Sequence, residues 1–385
     1  GKVGGVQYES GLIGKVPFSA SVLESAMGTL AISAAAAQRS RLTTDERSHS
    51  YCAPSLLLAV GNSLIERLEQ LRCTDTTVQR SLVAYQEEID DLTYQLYGFS
   101  SIDKADVESS FFPDVRVEGQ ASNPQEVELG GEQESVIEPY HATFQLLSHL
   151  LGCTLGRWDA RITLDPTLAP ALADIFAPLP VCSPGMLVGP RGVPAQKGGI
   201  VSAEWLRARP DSITLPDEKS VHRSTIPDAE YPLEIAWDGI LVSDSEHTQD
   251  VVDRVREGLA LLWGDRADAI EKEACELLRV KSLRDYFGNP RGFFEEHIKR
   301  YSKSRRKAPI YWLLQSNKRS YALWLYYYRL DGDSLFKALT NYVDPKIQRE
   351  EARLADLSAQ RAPVGGMGGA ARQTERAIER QELLI

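Results

Sequence analysis

Six of the nine residues from Lys299 to Lys307 are basic, and directly after them come two aromatic runs, Ile310–Leu314 and Tyr321–Tyr328. No other feature constrains the fold as much. Two β-branched or aromatic runs separated by a short polar break, here Gln315–Ser320, predict a β-hairpin. The basic run reads as a helix leading into it. Downstream, Asp331, Gly332 and Asp333 supply a turn and an N-cap for a helix with Leu335, Phe336, Leu339 and Tyr342 on one face. Asp344 followed by Pro345 opens another helix, because proline is tolerated at the first helical position. The stretch Leu283–Lys346 is thus read as a basic helix, a hairpin and two helices, with no catalytic signature.

The rest of the chain is mostly helical in pattern. Val22–Arg41 is alanine-rich, and Pro54–Arg72 spaces Leu57, Leu64, Ile65, Leu68 and Leu71 for one buried face. Thr76–Tyr97 is the clearest amphipathic helix, with Gly98 as its stop. Its carboxylates Glu87, Glu88, Asp90 and Asp91 read as a solvated face. Helix resumes at Tyr140–Leu155, where His141 and His149 are ordinary helix residues, since no third ligand falls within reach. Leu233–Leu241 predicts a strand, and Asp244–Trp263 and Asp265–Leu278 predict two helices.

The predicted fold class is α+β and predominantly helical, with helical bundle or spacer regions and a small basic-helix and β-hairpin module. The expected organisation is the end of an upstream recognition domain (1–20), a helical spacer (21–99), an acidic linker or insertion (100–138), and a helix with an extended proline-rich connection (139–232). A C-terminal α+β module carrying the basic strip (233–345) and a charged helical tail (346–385) follow.

Charge is unevenly spread. The net charge of −11 argues against a protein coated in positive charge, yet residues 102–138 hold ten acidic and two basic side chains, so much of the excess is local. Five widely spaced cysteines without a Cys-x-x-Cys pair read as reduced thiols of a cytoplasmic protein. No apolar run reaches the length of a membrane span, and the opening Gly1 suggests a piece of a longer chain.

Motifs for nucleophile elbows, phosphate loops, dinucleotide binding and helical zinc sites are all missing. Asp211, Asp217 and Lys219 resemble the acid-acid-lysine pattern of metal nucleases, with a poorer echo at Asp114, Glu118 and Gln120, but both sit in loop-like sequence at the wrong spacing. The expectation is no catalytic, cofactor-binding or metal site. The cationic strip is the one local constellation with a functional physics. Lys299, Arg300, Lys303, Arg305, Arg306 and Lys307, with Lys318 and Arg319 in the hairpin turn, could neutralise several phosphates of double-stranded DNA. The alternative is a solvated basic face offsetting Glu295, Glu296 and the acidic segment. Tyr311, Trp312, Trp324 and Tyr326–Tyr328 read as the hairpin's own core rather than as base-stacking platforms.

The run EEHIKRYSKSRRKAPIYWLLQS, followed by SYALWLYYYRLDGDSLFKAL and NYVDPK, resembles the C-terminal region of large adenine-N6 DNA methyltransferases of phage defence, the BREX (PglX) and DISARM type, related to single-chain restriction-modification enzymes. QEEIDDLTYQLYGF, LLSHLLGCTLGRWD, DIFAPLPVCSPGML, DGILVSDSEHTQDVVDRVREGL and WGDRADAIEKEACELLRVKSLRDYF extend the resemblance over roughly residues 50–360. It implies that catalysis lies upstream, in a Rossmann-like domain with a glycine-rich S-adenosylmethionine loop and an Asn-Pro-Pro-Tyr motif for the flipped adenine. Neither motif occurs here. The implied role is therefore DNA recognition and scaffolding, with double-stranded DNA, the upstream methyltransferase domain and other defence proteins as partners, and no membrane. The alternative is an interaction module that docks partner defence proteins or an acidic DNA mimic.

Overall fold

Alanine-rich sequence without proline, its one glycine at the second position, forms the first long helix, α1 (Met27–Leu42), which lies along a much longer one, α2 (Leu64–Tyr97). The computed structural model describes residues 21–22, 25–111, 137–171, 181–208, 225–303, 306–359 and 369–382. The two helices expected from Pro54 to Tyr97 divide differently. A short turn, Ser55–Leu58, precedes a loop, and α2 then runs unbroken through Cys73–Asp75. Ser63 decides the start, since its hydroxyl accepts from Glu66 N at 3.1 Å while the Glu66 carboxylate accepts from Asn62 N at 2.6 Å. Gly98, at φ +69°, provides the left-handed stop.

Helix α2 outruns the core. Only Leu64 and Leu68 are buried, and the predicted inward face at Leu82, Ile89 and Leu92 is half-buried. The acidic linker expected from Ser100 begins instead as a helix, Ser101–Phe111, because Ser100 and Asp103 cap one another: Ser100 N donates to Asp103 at 2.8 Å and Asp103 N to Ser100 Oγ at 3.3 Å. The rest of that segment, and the 1–20 segment, lie outside the described residues.

The centre of the molecule is α3 (Pro139–Thr154), in which twelve of sixteen residues are buried. Leu146, Leu147, Leu150 and Leu151 are essentially inaccessible, each contributing about 2 kcal/mol from removal of apolar surface. Against α3 pack α4 (Val251–Trp263), capped by Asp250, and α5 (Ala267–Leu278). Asp265, expected to cap α5, lies in a preceding single turn, and no side chain caps the helix. α6 (Leu283–Gly288) and α7 (Glu295–Arg300) follow, joined by the bulged turn Pro290–Phe294 that delivers Phe293 into the core.

The predicted hairpin is present as β2 (Tyr311–Gln315) and β3 (Ala322–Tyr326), with β1 (Ile240–Val242) added antiparallel on the far side of β3. The strand expected over Leu233–Leu241 is thus short. Gly239, at φ +73°, turns the chain into it, and Leu233 and Ile235 instead fill a second cluster around Tyr51 and Trp158. One sheet face, Tyr311, Leu313, Trp324 and Tyr326, joins the main core with Phe287 and Phe293. The other, Ile240, Val242, Leu323 and Leu325, lies under Ala338 and Tyr342.

The expected apolar face of Leu335, Phe336, Leu339 and Tyr342 is corrected here. The helix Ser334–Ala338 widens into a π turn, Leu339–Val343, which shifts the register so that Ala338 and Tyr342 face the sheet. Leu335 and Phe336 are then 70% and 68% exposed. The turn's cap is Asp331 rather than Asp333, accepting from Asp333 N and Ser334 Oγ at 2.9 Å each. The charged tail helices α8 (Asp344–Ala359) and α9 (Gly369–Glu382) fold back. Lys346 and Arg349 pair with Asp244 at 3.3 and 2.8 Å, and Gln381 donates to Glu350 O at 3.0 Å. The architecture is α+β and predominantly helical. Among the described residues no helix is long and apolar enough to cross a membrane.

Two buried histidines stitch these parts together. His297 on α7 accepts at Nε2 from the backbone N–H of both Ile310 and Tyr311, each at 3.0 Å, and pins α7 to the start of β2. In α3, His149 meets Tyr51 Oη through Nδ1 at 2.8 Å and Thr163 Oγ1 through Nε2 at 2.7 Å. Thr163 donates its own proton to Asp159 O, which leaves Nε2 of His149 as the donor and the ring neutral. Burial depresses both histidines, with Arg157 adding repulsion, His149 to about 3. In the unfolded chain each takes up a proton near pH 6.5. Their stabilisation is therefore complete above that pH and is lost progressively as pH falls below it. Urea unfolding should show about 2 kcal/mol lost per histidine between pH 7.5 and pH 5, above the range where carboxylates protonate. An unchanged midpoint over that interval would contradict the neutral assignment.

Candidate nucleic-acid interface

The six cations of the basic run do not share one helix. Lys299 and Arg300 close α7, Ser302–Lys303 then pairs antiparallel with Arg306–Lys307 in a two-residue ladder, and Pro309 leads into β2. Their environments differ accordingly. Lys299 Nζ pairs with Glu296 at 2.7 Å and Glu295 at 3.2 Å, and the Glu296 hydrogen bond raises it above the ordinary lysine value. Arg300 turns inward, with Nη2 2.7 Å from Asp45 Oδ1 and Nε 3.5 Å from Glu46 Oε1, the latter a charge contact without hydrogen-bond geometry. Asp45 is held below the usual carboxylate range. Burial works against that shift, and Arg47 and Arg300 outweigh it.

Arg306 and Lys307 are exposed and form no ion pair with another described residue. Arg305 and the side chain of Lys303 lie outside the described residues. Lys318 and Arg319 sit exposed at the hairpin tip. The five-residue strand β2 separates them from the ladder, a length of about 17 Å at 3.4 Å per residue. The strip is therefore two cationic points, the ladder and the tip. Arg319 adopts φ +58°, a left-handed conformation that disfavours a residue with a Cβ by about 1 kcal/mol.

Beneath the ladder lies a buried polar knot that the sequence did not announce. Arg157 donates through Nη2 to Tyr301 Oη at 3.0 Å and through Nη1 to Tyr311 Oη at 3.3 Å, and its guanidinium lies 4.2 Å from the centre of the Trp158 ring. Tyr301 Oη donates to Glu46 Oε1 at 3.0 Å, and Ser148 Oγ to Glu46 Oε2 at 3.0 Å. Burial disfavours the Arg157 charge, but Tyr311, Tyr301 and Glu46 more than offset this and hold it well above its ordinary value. The same burial pushes Tyr301 up. Gly152 makes room for the knot, since a Cβ there would meet Trp158 Cδ1 at 2.2 Å and Tyr311 Oη at 2.8 Å. Glu46 lies in a polar break and Arg157 in a turn, more than a hundred residues apart, so no local pattern links them.

Chemically, this arrangement holds exposed cations on a rigid seat. Among the described residues no group of three or more His, Cys, Asp or Glu side chains could hold a metal ion. Asp114, Glu118, Gln120, Asp211, Asp217 and Lys219 lie outside them.

No family model matches the chain. Over 146 residues it is 29% identical to a protein of Escherichia coli O9:H4 (strain HS) named adenine-specific methyltransferase BrxX, a stretch covering 34% of this chain and 12% of that protein. The chain is similar in sequence to a BREX-type adenine methyltransferase. The match takes in only a small part of that relative's length.

The knot makes a prediction of its own. Glu46→Ala leaves Tyr301 and Ser148 without their acceptor and removes the negative charge beside Arg157 and Arg300, and should lower unfolding free energy by about 3 kcal/mol. Glu46→Gln, which keeps an acceptor, should lose roughly half as much. Arg47→Ala, at an exposed pair with Asp45, should stay within about 0.5 kcal/mol of the parent. Equal urea midpoints for the alanine variants at 46 and 47 would show that the knot contributes nothing.

Proposed function

We propose that this chain is a non-catalytic, DNA-gripping and scaffolding portion of an S-adenosylmethionine-dependent adenine-N6 DNA methyltransferase of bacterial phage defence, working in the cytoplasm. The methyl donor and the adenine pocket would belong to an upstream domain. One observation carries the reading: Arg306 and Lys307 stand exposed on a ladder seated over a buried, hydrogen-bonded polar knot, in a chain similar to an adenine-specific methyltransferase. Cations held this way meet backbone phosphate without further ordering, and they position a duplex rather than read it. The helical segment 21–99 would serve as spacer and the 233–345 module as the grip.

The structure changes which of the eight candidate cations should matter. Lys299 is neutralised by two carboxylates, and Arg300 is committed to Asp45 and Glu46. In the full enzyme, Arg306→Ala with Lys307→Ala should weaken duplex binding and reduce the slope of log affinity against log salt by about 1.8, two phosphates at about 0.9 each. Lys299→Ala should leave that slope close to the parent's. A double variant with the parent's slope would refute phosphate contact by the ladder. An acidic protein partner would meet the same cations. Association in a pull-down that survives nuclease digestion would favour that second reading over DNA.

A further inference from the structure

The hairpin tip is built differently from the ladder. Strand β1 pairs with β3 no further than Val242 with Leu323, and Ser243 N donates to Ala322 O at 2.9 Å just beyond. Past the last paired residues of the hairpin, Gln315 and Ala322, Ser316–Tyr321 forms the turn itself. It is nonetheless stiff. Ser316 N donates to Tyr321 O and Arg319 N to Ser316 O, both at 2.9 Å, while Ser316 Oγ accepts from Ser320 N at 3.1 Å and Tyr321 N at 3.2 Å. Tyr321 Oη ties the base of the tip to Tyr342 O at 3.1 Å. What this rigid tip presents is Asn317, Lys318 and Arg319, all exposed.

Arg319 is the odd choice. At φ +58° the turn favours glycine, which would close the same hydrogen bonds without strain. Arginine in place of the favoured glycine sets a guanidinium on the tip, whereas Arg279, at the same φ, closes a helix instead. Dimensions suggest a use for that guanidinium. A two-stranded ribbon, its strands about 4.8 Å apart, fits a major groove about 12 Å wide. The ladder precedes β2 and the tip follows it, so one point can hold phosphate while the other enters the groove.

We propose that the Asn317–Arg319 tip enters the major groove of duplex DNA and that Arg319 is a specificity-determining residue, its guanidinium donating two hydrogen bonds to guanine O6 and N7. Lys318 meets adjacent phosphate. This rests on the reading of the chain as a DNA-gripping element, and separates a base-reading tip from a sequence-blind ladder.

The test uses a pool of 24-base-pair duplexes with a randomised centre, captured by the full enzyme and sequenced. The parent should enrich guanine at one fixed position. Arg319→Gly, which relieves the backbone, should keep or raise the urea midpoint while its guanine preference there falls about tenfold or more. Arg319→Lys should retain bulk affinity for the pool but lose most of the preference, since an ammonium lacks the fork. Guanine enrichment unchanged in Arg319→Gly overturns the proposal, as does a parent that binds the pool with no base preference. A parent that fails to retain the pool even at low salt sinks the DNA-gripping reading as well, and loss of binding by the Arg306/Lys307 double variant alone leaves that reading standing without the tip.

Discussion

A buried guanidinium dictates how this chain closes. Arg157 has almost no access to water, and removing its charge from solvent is unfavourable unless oxygens surround it. Those oxygens come from Tyr301 at the end of α7, Tyr311 at the start of β2 and, at 3.5 Å, the backbone carbonyl of Glu46. The Glu46 carboxylate then fixes Tyr301 and Ser148. Four segments distant in sequence must arrive together, since any one missing leaves an unmatched polar group inside. The knot thereby selects one arrangement of the loop before α2, helix α3, helix α7 and the hairpin. His297 adds a second, uncharged pin a turn earlier on α7.

This explains why a dense run of positive charge does not behave as one patch. Chain geometry changes twice between Lys299 and Lys307, from helix to turn to ladder, and each change redirects the side chains. The two cations still on α7 are close to carboxylates, Lys299 to those one turn away and Arg300 to those of the Asp45–Glu46 loop. The ladder's last two cations stay exposed before the chain turns inward at Pro309. The surplus of positive charge therefore concentrates at Arg306 and Lys307, and again one strand length away at the tip. In a protein of net charge −11, such local points orient a polyanion more effectively than a diffuse face, because the surroundings repel it.

How far the fold could be read from sequence follows from which interactions are local. The hairpin was legible because aromatic and β-branched residues on both sides of Gln315–Ser320 have no helical alternative. Helix α3 was legible from its apolar periodicity. The unbroken α2 was not, since the polar Cys73–Asp75 stretch looks like a break unless Ser63 is recognised as the true start. Leu233–Leu241 has the composition of a strand, but Gly239 allows only its last residues to reach β3. Around Leu335 the error came from assuming a regular helical repeat where a π turn intervenes. The exposure of Lys318 and Arg319 was legible because turns expose what they carry. The inward pairing of Arg300 was not, because its partner Asp45 lies 255 positions away, and nothing near Glu46 or Arg157 signals a shared buried contact. The resemblance read from motifs pointed to the same methyltransferase type as the later comparison, over a longer stretch.

The exposed and buried charge contacts in this molecule respond unequally to salt, and that matters for a protein that would hold DNA by charge. The tail helices dock through Lys346, Arg349 and Arg353, half-exposed groups whose attraction is screened as ionic strength rises. Arg157, Tyr301 and Glu46 are shielded from ions, and screening reaches them far less. Raising salt therefore loosens the tail, and would strip any phosphate from the ladder, while the seat of the ladder stays in place. A loss of DNA affinity with salt reports the phosphate contacts themselves, and the slope keeps its meaning because the geometry holding Arg306 and Lys307 does not change underneath it.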